Sequence, residues 1–506
     1  MSEHSHTGPL HLTTDAPVTA AADEGQEHAG YLRTNALSLA GNVVIALGSV
    51  APTASIALTL SAIVATTSYA SPIAVLVCAV PMLGIAMAYR RLNMWHVNCG
   101  ATYVWGGRAI SPYFGWMTGW VIILAYFLGA TSIAYPIGPY ALSLVSNRWE
   151  DSTVAAALIG AIAIVAVTAV AYVGIRATSR LQGLLILIEY VAITLVGILG
   201  LIGIFGGGSH SVAFDWSWFS WSTLGGVTGF VNASLIAVYM YSGWDTAILL
   251  NEETEDARTN PGRAVITSVL TVAFLFTFFT FALQGAVRYG ALQANGDNAL
   301  TYIAGVLGNT ALAKLMIITV LFSAIGSTLA CIVAGGRVTF AMGFDRVLPP
   351  IFGRTHPTYK TPVAAMLAGA TIAFVWIWLY AIGSSTQSVF DSVVSSVGLL
   401  FALFYAATGF AVAVYYRRLA VQGVRPLLEL GVFPVASALF LCYVIWRSIP
   451  GLGGWTGRNM EYLYVLLALG LALMAYARWR GESDYFDRPL EAYDPADAAT
   501  GGGAEA

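Results

Sequence analysis

Apolar residues run along this chain in windows of about twenty with almost no charge inside them, the length an α-helix needs to cross the hydrocarbon of a bilayer. Twelve such windows are read, at 37–64, 71–89, 113–143, 153–173, 181–205, 225–244, 264–286, 315–336, 362–382, 392–416, 430–446 and 462–477. The pattern predicts an all-α polytopic membrane protein with twelve transmembrane helices. The run from Thr34 to Tyr89 holds no Asp, Glu, Lys or Arg, and in its middle the stretch from Asn42 to Ala62 carries GSVAPT. Proline removes a backbone donor and clashes with the preceding turn, and in hydrocarbon the freed carbonyls must find a partner. Gly48, Ser49, Pro52 and Thr53 together predict a discontinuous helix whose loose backbone lines a cavity; a plain proline kink is the alternative.

A second interruption favours the discontinuous reading. Span six contains YMYSGWDTA, at the position equivalent to GSVAPTAS if spans one to five and six to ten are two inverted halves. Paired interruptions of this kind point to a solute site near the membrane midplane.

Composition agrees with the hydropathy: 58% of the 506 residues are apolar, 12% aromatic and 10% charged, far from the averages of soluble domains. A net charge of -3 without a Lys/Arg cluster gives no footing for nucleic acid. Cys78, Cys99, Cys331 and Cys442 are scattered singly, which supports neither a disulfide framework nor a zinc site. The polar N-terminus lacks a basic segment followed by an apolar core, so no cleavable signal peptide is read. The acidic tail from Glu482, ending in GGGAEA, reads as disordered.

Basic residues set the expected orientation. Arg33, Arg90, Arg91, Arg108, Arg176, Arg180, Arg258, Arg263, Arg337, Arg346, Arg354, Lys360, Arg417, Arg418, Arg425, Arg478, Arg480 and Arg488 fall on one side of the twelve windows. Arg148, Arg288, Lys314, Arg447 and Arg458 are left on the other. The positive-inside rule then puts both termini in the cytoplasm.

A broken helix presents an amide-rich N-terminus, which suits a carboxylate, and a carbonyl-rich C-terminus, which suits an ammonium group. An α-amino acid carries both. The candidate solute contacts are therefore the backbone of Ser49, Val50, Ala51, Pro52 and Thr53 and of Tyr241, Ser242, Gly243 and Trp244, with the hydroxyls of Ser49, Thr53 and Ser242 in support. Each hydroxyl has the alternative of bonding its own helix backbone. Tyr126, Tyr239, Tyr241 and Trp244 are candidate walls or gates of the pocket, against the alternative of lipid-facing packing.

Two acids stand among apolar neighbours. Glu189, in LLILIEYVAITLV, is the only Asp, Glu, Lys or Arg between Arg180 and Asp215, and ionised residues inside a membrane usually face a cavity and serve transport. It is a candidate proton carrier, or else a partner of Arg180. Asp245, beside the second interruption, is a candidate for attracting a solute ammonium or exchanging a proton, or else a carboxylate that caps and stabilises the break. The loop from Asn251 to Arg263 mixes Glu252, Glu253, Glu255 and Asp256 with Arg258 and Arg263 and reads as a cytoplasmic ion-pair hub, with Arg90, Arg91, Arg176 or Arg180 as expected partners.

Four stretches occur in order: CGATYVWGGRAISPYFGWMTGW at 99–120, GIRATSRLQ at 174–182, YSGWDTAILLNEETEDARTNPGRA at 241–264 and GGRVTFAMGFDRVLPPIFGRTHPTYKTP at 335–362. With the broken first span, they resemble the amino acid/polyamine/organocation (APC) superfamily of secondary transporters. The resemblance implies a LeuT-type fold, with inverted repeats at 34–223 and 224–418 and two further helices at 419–480; the polar ends, 1–33 and 481–506, are expected to be disordered and cytoplasmic. It also implies alternating access, an aromatic gate near Tyr239 as in arginine exchangers, and a place at Glu189 where sodium-independent relatives carry a lysine in place of the bound sodium ion, so that the acid here would either titrate a proton or bind a cation directly. A sodium site would use carbonyls of span one with Ser323, Ser327 and Thr328, which are otherwise ordinary helix-packing residues. Span one departs from the common GSGIF-like break, carrying Val50-Ala51-Pro52-Thr53 as some amino acid permeases and putrescine importers do.

The expectation is thus a multi-pass carrier of the cytoplasmic membrane, monomer or homodimer, importing an amino acid with a proton through Glu189 or Asp245. It needs no cofactor beyond the coupling ion. A polyamine or other organic amine, suggested by Pro52 and Asp245, is the alternative solute, and sodium the alternative ion. No filter sequence suggests a channel, and no HExxH, nucleophile elbow or phosphate loop suggests an enzyme.

Overall fold

The computed structural model describes residues 31–145, 152–383, 386–450 and 453–493. Among them the chain is helical, with an isolated parallel bridge between Leu37 and Thr254. Among the described residues nine stretches are long and apolar enough to cross a membrane, the first being the 57-residue Leu39–Trp95, and two shorter apolar helices lie at Gly226–Met240 and Val363–Leu379. The protein is a polytopic membrane protein.

Local sequence sets the helix boundaries. Helix α1 (Leu39–Val50) starts where the Ser38 hydroxyl accepts from the Gly41 amide at 3.2 Å, satisfying one of the donors a helix N-terminus leaves open. It ends at Ala51, whose left-handed backbone (φ 50°) turns the chain into α2 (Pro52–Thr67) with proline at its first position, where the missing N–H costs nothing. Helices α3 (Ser71–Trp95), α4 (Thr102–Ala109), α5 (Pro112–Val145), α6 (Thr153–Val173) and α7 (Ile175–Gly206) follow. Then come α8 (Gly226–Met240), the single turn α9 (Thr246–Leu249), α10 (Asn260–Gln284), α11 (Thr310–Phe344), α12 (Val363–Gly383), α13 (Thr386–Tyr415), α14 (Phe433–Ser448) and α15 (Arg458–Arg480).

The most extensive pairings are α11 along α5 and α10 along α3. Helix α1 is gripped by α7, α10 and α11, and α2 by α8. The two interrupted segments therefore lie inside the bundle, with Ala51 and Trp244 both essentially inaccessible.

Two expectations are corrected. At Glu253 the loop hub pairs not with one of the expected arginines but with Arg337 of α11, Nε to Oε2 at 2.9 Å and Nη2 to Oε1 at 3.3 Å, with both side chains 1% exposed. Arg91 pairs with Glu429 at 2.9 Å, and the stem of the Arg90 side chain packs against Gly262. Arg337 wins because α11 runs directly behind the loop, and a buried carboxylate needs a partner held at its own depth.

The tail is not disordered over residues 481–493. Tyr485 and Phe486 are buried, Tyr485 stacks on Tyr103 with centroids 4.9 Å apart, and Arg488 pairs with Asp345 at 2.8 Å. Its acidic composition hid two aromatic anchors. The expected disorder of 1–30 and 494–506 lies outside the described residues.

Candidate functional site

The first interruption leaves few backbone groups open. Pro52 has no N–H; the Thr53 amide donates to Glu189 Oε1 at 2.7 Å, the Ala54 amide to Ser323 Oγ at 3.1 Å and the Ser55 amide to Ala51 O at 2.8 Å. Ser323 also donates to Glu189 Oε1, at 2.8 Å. On the other side of the break Ser327 donates to the Ser49 carbonyl at 2.7 Å, and Ser55 Oγ donates to the Val50 carbonyl at 2.7 Å. Glu189, 1% exposed, thus sits at the amide end of α2, where the helix dipole favours a negative charge.

The second interruption follows Met240. Tyr241 to Asp245 form successive turns, and Gly243 takes φ 103°, a conformation open to glycine at little cost. A side chain there would also meet Ser49: a β-carbon would stand 2.8 Å from its Oγ and 3.0 Å from its carbonyl carbon. Gly48 is the counterpart on α1, where a β-carbon would come within 2.0 Å of Gln182 Oε1. The two breaks are in direct contact, with Thr246 Oγ1 donating to Ser49 Oγ at 2.9 Å.

Asp245 is fully buried beside that contact. Its Oδ1 accepts from the Tyr405 hydroxyl at 2.7 Å, and the same hydroxyl accepts from the Gly243 amide at 3.2 Å. Oδ2 is left without a hydrogen-bond partner; the neighbouring Tyr126 hydroxyl is paired with Thr246 Oγ1 at 3.2 Å. Aromatic rings wall the acid: Trp244 stacks on Tyr405 at 4.8 Å, Tyr89 meets Trp244 edge-on at 5.6 Å, and Tyr126 meets Phe401 edge-on at 5.3 Å. Trp244 Nε1 is also unpartnered.

The structure thus draws Ser49, Val50, Ala51, Pro52, Thr53, Tyr126, Gly243, Trp244, Glu189, Asp245 and Ser327 into one cluster. Ser242 instead donates to the Tyr239 carbonyl at 2.6 Å, closing its own helix end. Thr328, in the middle of α11, bonds back to its own helix, donating to Ala324 O at 2.8 Å. Tyr241 points away, donating to Val75 O on α3 at 3.1 Å with its ring edge-on to Phe276. Tyr239 is buried with its β-carbon against Gly398. Sequence reasoning missed Tyr89, Tyr405 and Thr246: Tyr405, in LFALFYAATGF, looks like any aromatic of a spanning helix, and only the fold brings it to Asp245.

Residues 34–471 match the model of a family described as amino acid permease. The chain belongs to that family. Among relatives, this permease is 25% identical to the low-affinity putrescine importer PlaP of Escherichia coli (strain K12), over 59% of this chain and 65% of the importer, just under two thirds of its length. It is 26% identical to the histidine permease HisP of Lactococcus lactis subsp. cremoris, over 54% of this chain and 57% of HisP. With the branched-chain amino acid permease BcaP of the same organism it shares 22% identity, over 64% of this chain and 70% of BcaP. Glu189 and Asp245 both lie inside the matched region.

Proposed function

We propose that this permease is a proton-coupled secondary transporter that imports a small amine-bearing solute, an amino acid or a polyamine, across the cytoplasmic membrane by alternating access. The observation that carries the reading is the contact of the two interrupted helices, Thr246 to Ser49 at 2.9 Å, beside a buried carboxylate with one oxygen open. A half-membrane helix end with an unpartnered acid is where a positively charged group of a solute can be held without water.

Several features support the rest of the architecture. Counting Leu39–Trp95 as two crossings and adding the two shorter apolar helices brings the nine stretches to twelve. The interruptions after Val50 and Met240 fit the first and sixth helices of a LeuT-type pair of inverted repeats. Both termini are read as cytoplasmic from the placement of arginines.

Proton coupling rather than sodium is favoured by how the hydroxyls of α11 are used. Ser323 is bonded to Glu189 and Ser327 to the Ser49 carbonyl, so the groups expected to ring a sodium ion already hold the break together. Glu189 bridges α7, α2 and α11 through its single Oε1. A proton arriving there weakens its hold on the Thr53 amide and so loosens α2 from α7.

Purified permease in liposomes tests the reading with labelled putrescine, histidine and leucine. An imposed inward proton gradient is expected to drive accumulation of at least one, and a sodium gradient alone to drive none. Uptake of none under either gradient overturns the function; uptake on sodium alone overturns the coupling ion.

A further inference from the structure

The charges around the two breaks are one-sided. The two charged side chains of the cluster are both acids, Glu189 and Asp245, each at most 1% exposed, and the groups bonded to them are hydroxyls and a backbone amide. Buried carboxylates without a cation beside them are costly, and the cost is offset when a positive ligand arrives. A zwitterionic amino acid brings one positive and one negative group, so its carboxylate has to find donors of its own.

The natural donors are spoken for. In a broken helix a solute carboxylate rests on the amides that open the second half. Here that end is α2, and its opening amides go to Glu189 Oε1 at 2.7 Å, Ser323 Oγ at 3.1 Å and Ala51 O at 2.8 Å, while Pro52 supplies no N–H. The protein's own carboxylate occupies the position. The open donor Trp244 Nε1 is neutral and belongs to the aromatic wall.

The complementary end is open. Asp245 Oδ2 is fully buried and unpartnered, and the rings of Trp244, Tyr405 and Tyr89 stack or meet edge-on around it. A buried, unpartnered carboxylate oxygen suits an ammonium group, which gains an ion pair and a charge-assisted hydrogen bond there.

We propose that Glu189 fills the seat a solute carboxylate would take and so makes this permease selective for amines that carry no carboxylate, with Asp245 receiving the ammonium end. The proposal rests on the reading of the chain as an amine permease and deepens it: Glu189 acts as a specificity-determining residue at the first break, whatever ion drives the cycle.

The test uses pairs that differ only by the carboxylate: cadaverine and lysine, putrescine and ornithine, phenethylamine and phenylalanine, 3-methylbutylamine and leucine. Each is titrated against the purified full chain, with dissociation constants read by isothermal calorimetry and checked by the ligand-induced rise in melting temperature. In the wild type at least one amine is expected to bind about tenfold or more tightly than its parent amino acid, a factor equivalent to about 1.4 kcal/mol. In Glu189→Ala that ratio is expected to fall about tenfold, because the Thr53 amide that opens α2 becomes free for the parent's carboxylate. Glu189→Gln, which keeps an acceptor for Thr53 without the charge, is expected to fall between. A role limited to holding the break together would weaken both members of a pair alike and leave the ratio in place.

Parent amino acids binding as tightly as their amines in every pair that the wild type binds, or an unchanged ratio in Glu189→Ala, overturns the inference while leaving the permease reading intact. Binding of neither member of any pair by the wild type removes the permease reading itself. Should Glu189→Ala fail to fold, the wild-type ratio and Glu189→Gln decide, an unmoved ratio in Glu189→Gln counting against the proposal.

Discussion

Thr53 and Glu189, 136 residues apart in sequence, share a 2.7 Å hydrogen bond from the backbone amide of one to the side-chain carboxyl of the other. The bond ties the start of α2 to the middle of α7, and Ser323 of α11 joins the same oxygen at 2.8 Å. Three helices from distant parts of the chain are thereby fastened at one buried atom. Whatever changes the charge of that atom changes how firmly the second half of the broken helix is held.

The first prediction follows from that fastening. Glu189→Gln keeps a carbonyl for the Thr53 amide and the Ser323 hydroxyl but exchanges no proton. The variant is expected to fold and to exchange solute across a liposome membrane, while its accumulation under an imposed proton gradient drops by about tenfold or more. Accumulation at the wild-type level would assign the coupling elsewhere.

Asp245 carries the second prediction. Its Oδ1 is held by Tyr405 at 2.7 Å while Oδ2 is unpartnered, so Asp245→Asn preserves the Tyr405 contact and removes the charge that faces an ammonium group. Losing one member of a buried, hydrogen-bonded charge pair costs about 2–5 kcal/mol, which corresponds to at least about thirtyfold in dissociation constant. Calorimetric titration with the best-bound amine checks it. Tyr405→Phe, which leaves the charge but frees its orientation, is expected to cost less.

Backbone strain at the first break gives a third. Ala51 has φ 50° and is 1% exposed; left-handed backbone costs about 1–2 kcal/mol for a residue with a β-carbon. Ala51→Gly is expected to leave melting temperature and uptake at or above wild type. Ala51→Val, adding a β-branched side chain to the same buried, left-handed position, is expected to lower the melting temperature and abolish uptake. An unbroken helix in the membrane would show the reverse order, since alanine and valine both outlast glycine there.

These residues also show what could be read from the sequence. GSVAPT and YSGWDTA announced both interruptions, because proline and glycine in an uncharged apolar run have few other uses. Glu189 and Asp245 stood out for the same reason. The partners of each acid were not legible: Ser323 was one of several small polar residues in LFSAIGSTLA, and Tyr405 one of many aromatics in spanning helices. The directions of the hydroxyls were equally hidden, so that Ser242 and Thr328, read as site residues, turn out to bond back to the backbone of their own helices. The local run also misled at the tail, where acidic composition outweighed Tyr485 and Phe486, whose burial depends on Tyr103 and Tyr113 from α4 and α5.

The buried pair of Glu253 and Arg337 yields a fourth prediction. Removing one partner leaves a charge stranded in the bundle, at a cost of about 3–5 kcal/mol. Glu253→Gln and Arg337→Met are each expected to lower the melting temperature in detergent by several degrees. The double variant is expected to recover much of the loss, and a thermodynamic cycle over the four proteins measures the coupling. Strict additivity of the two losses would deny that the pair acts as a unit.

The C-terminal segment carries the last prediction, in which pH and sequence act on the same element. Residues 481–493 are strapped across one end of the bundle: Tyr485 stacks on Tyr103 and donates to its carbonyl at 3.2 Å. Arg488 pairs with Asp345 at 2.8 Å, Arg108 with Glu491 at 2.8 Å, and the Tyr493 amide donates to the Tyr415 carbonyl at 3.0 Å. Asp487, at the surface, accepts from Arg478 at 2.7 Å, and that hydrogen bond holds its carboxyl below the ordinary value of 3.8. A group depressed in this way contributes to docking above its free value and loses the contribution as pH falls through its bound one. The Asp487 contact is therefore expected to be intact at neutral pH and to weaken only below about pH 4. Cleavage by pepsin after Tyr485 and Phe486 over a descending pH series measures the release. Arg478→Ala is expected to remove the Asp487 step from that profile while leaving the strap docked at neutral pH, since its aromatic anchors remain. Arg488→Ala, which unties Asp345 from the strap, is expected to expose the same bonds to chymotrypsin already at neutral pH. Equal resistance of both variants and wild type would mean that the two tyrosine rings hold the segment without help from its charges.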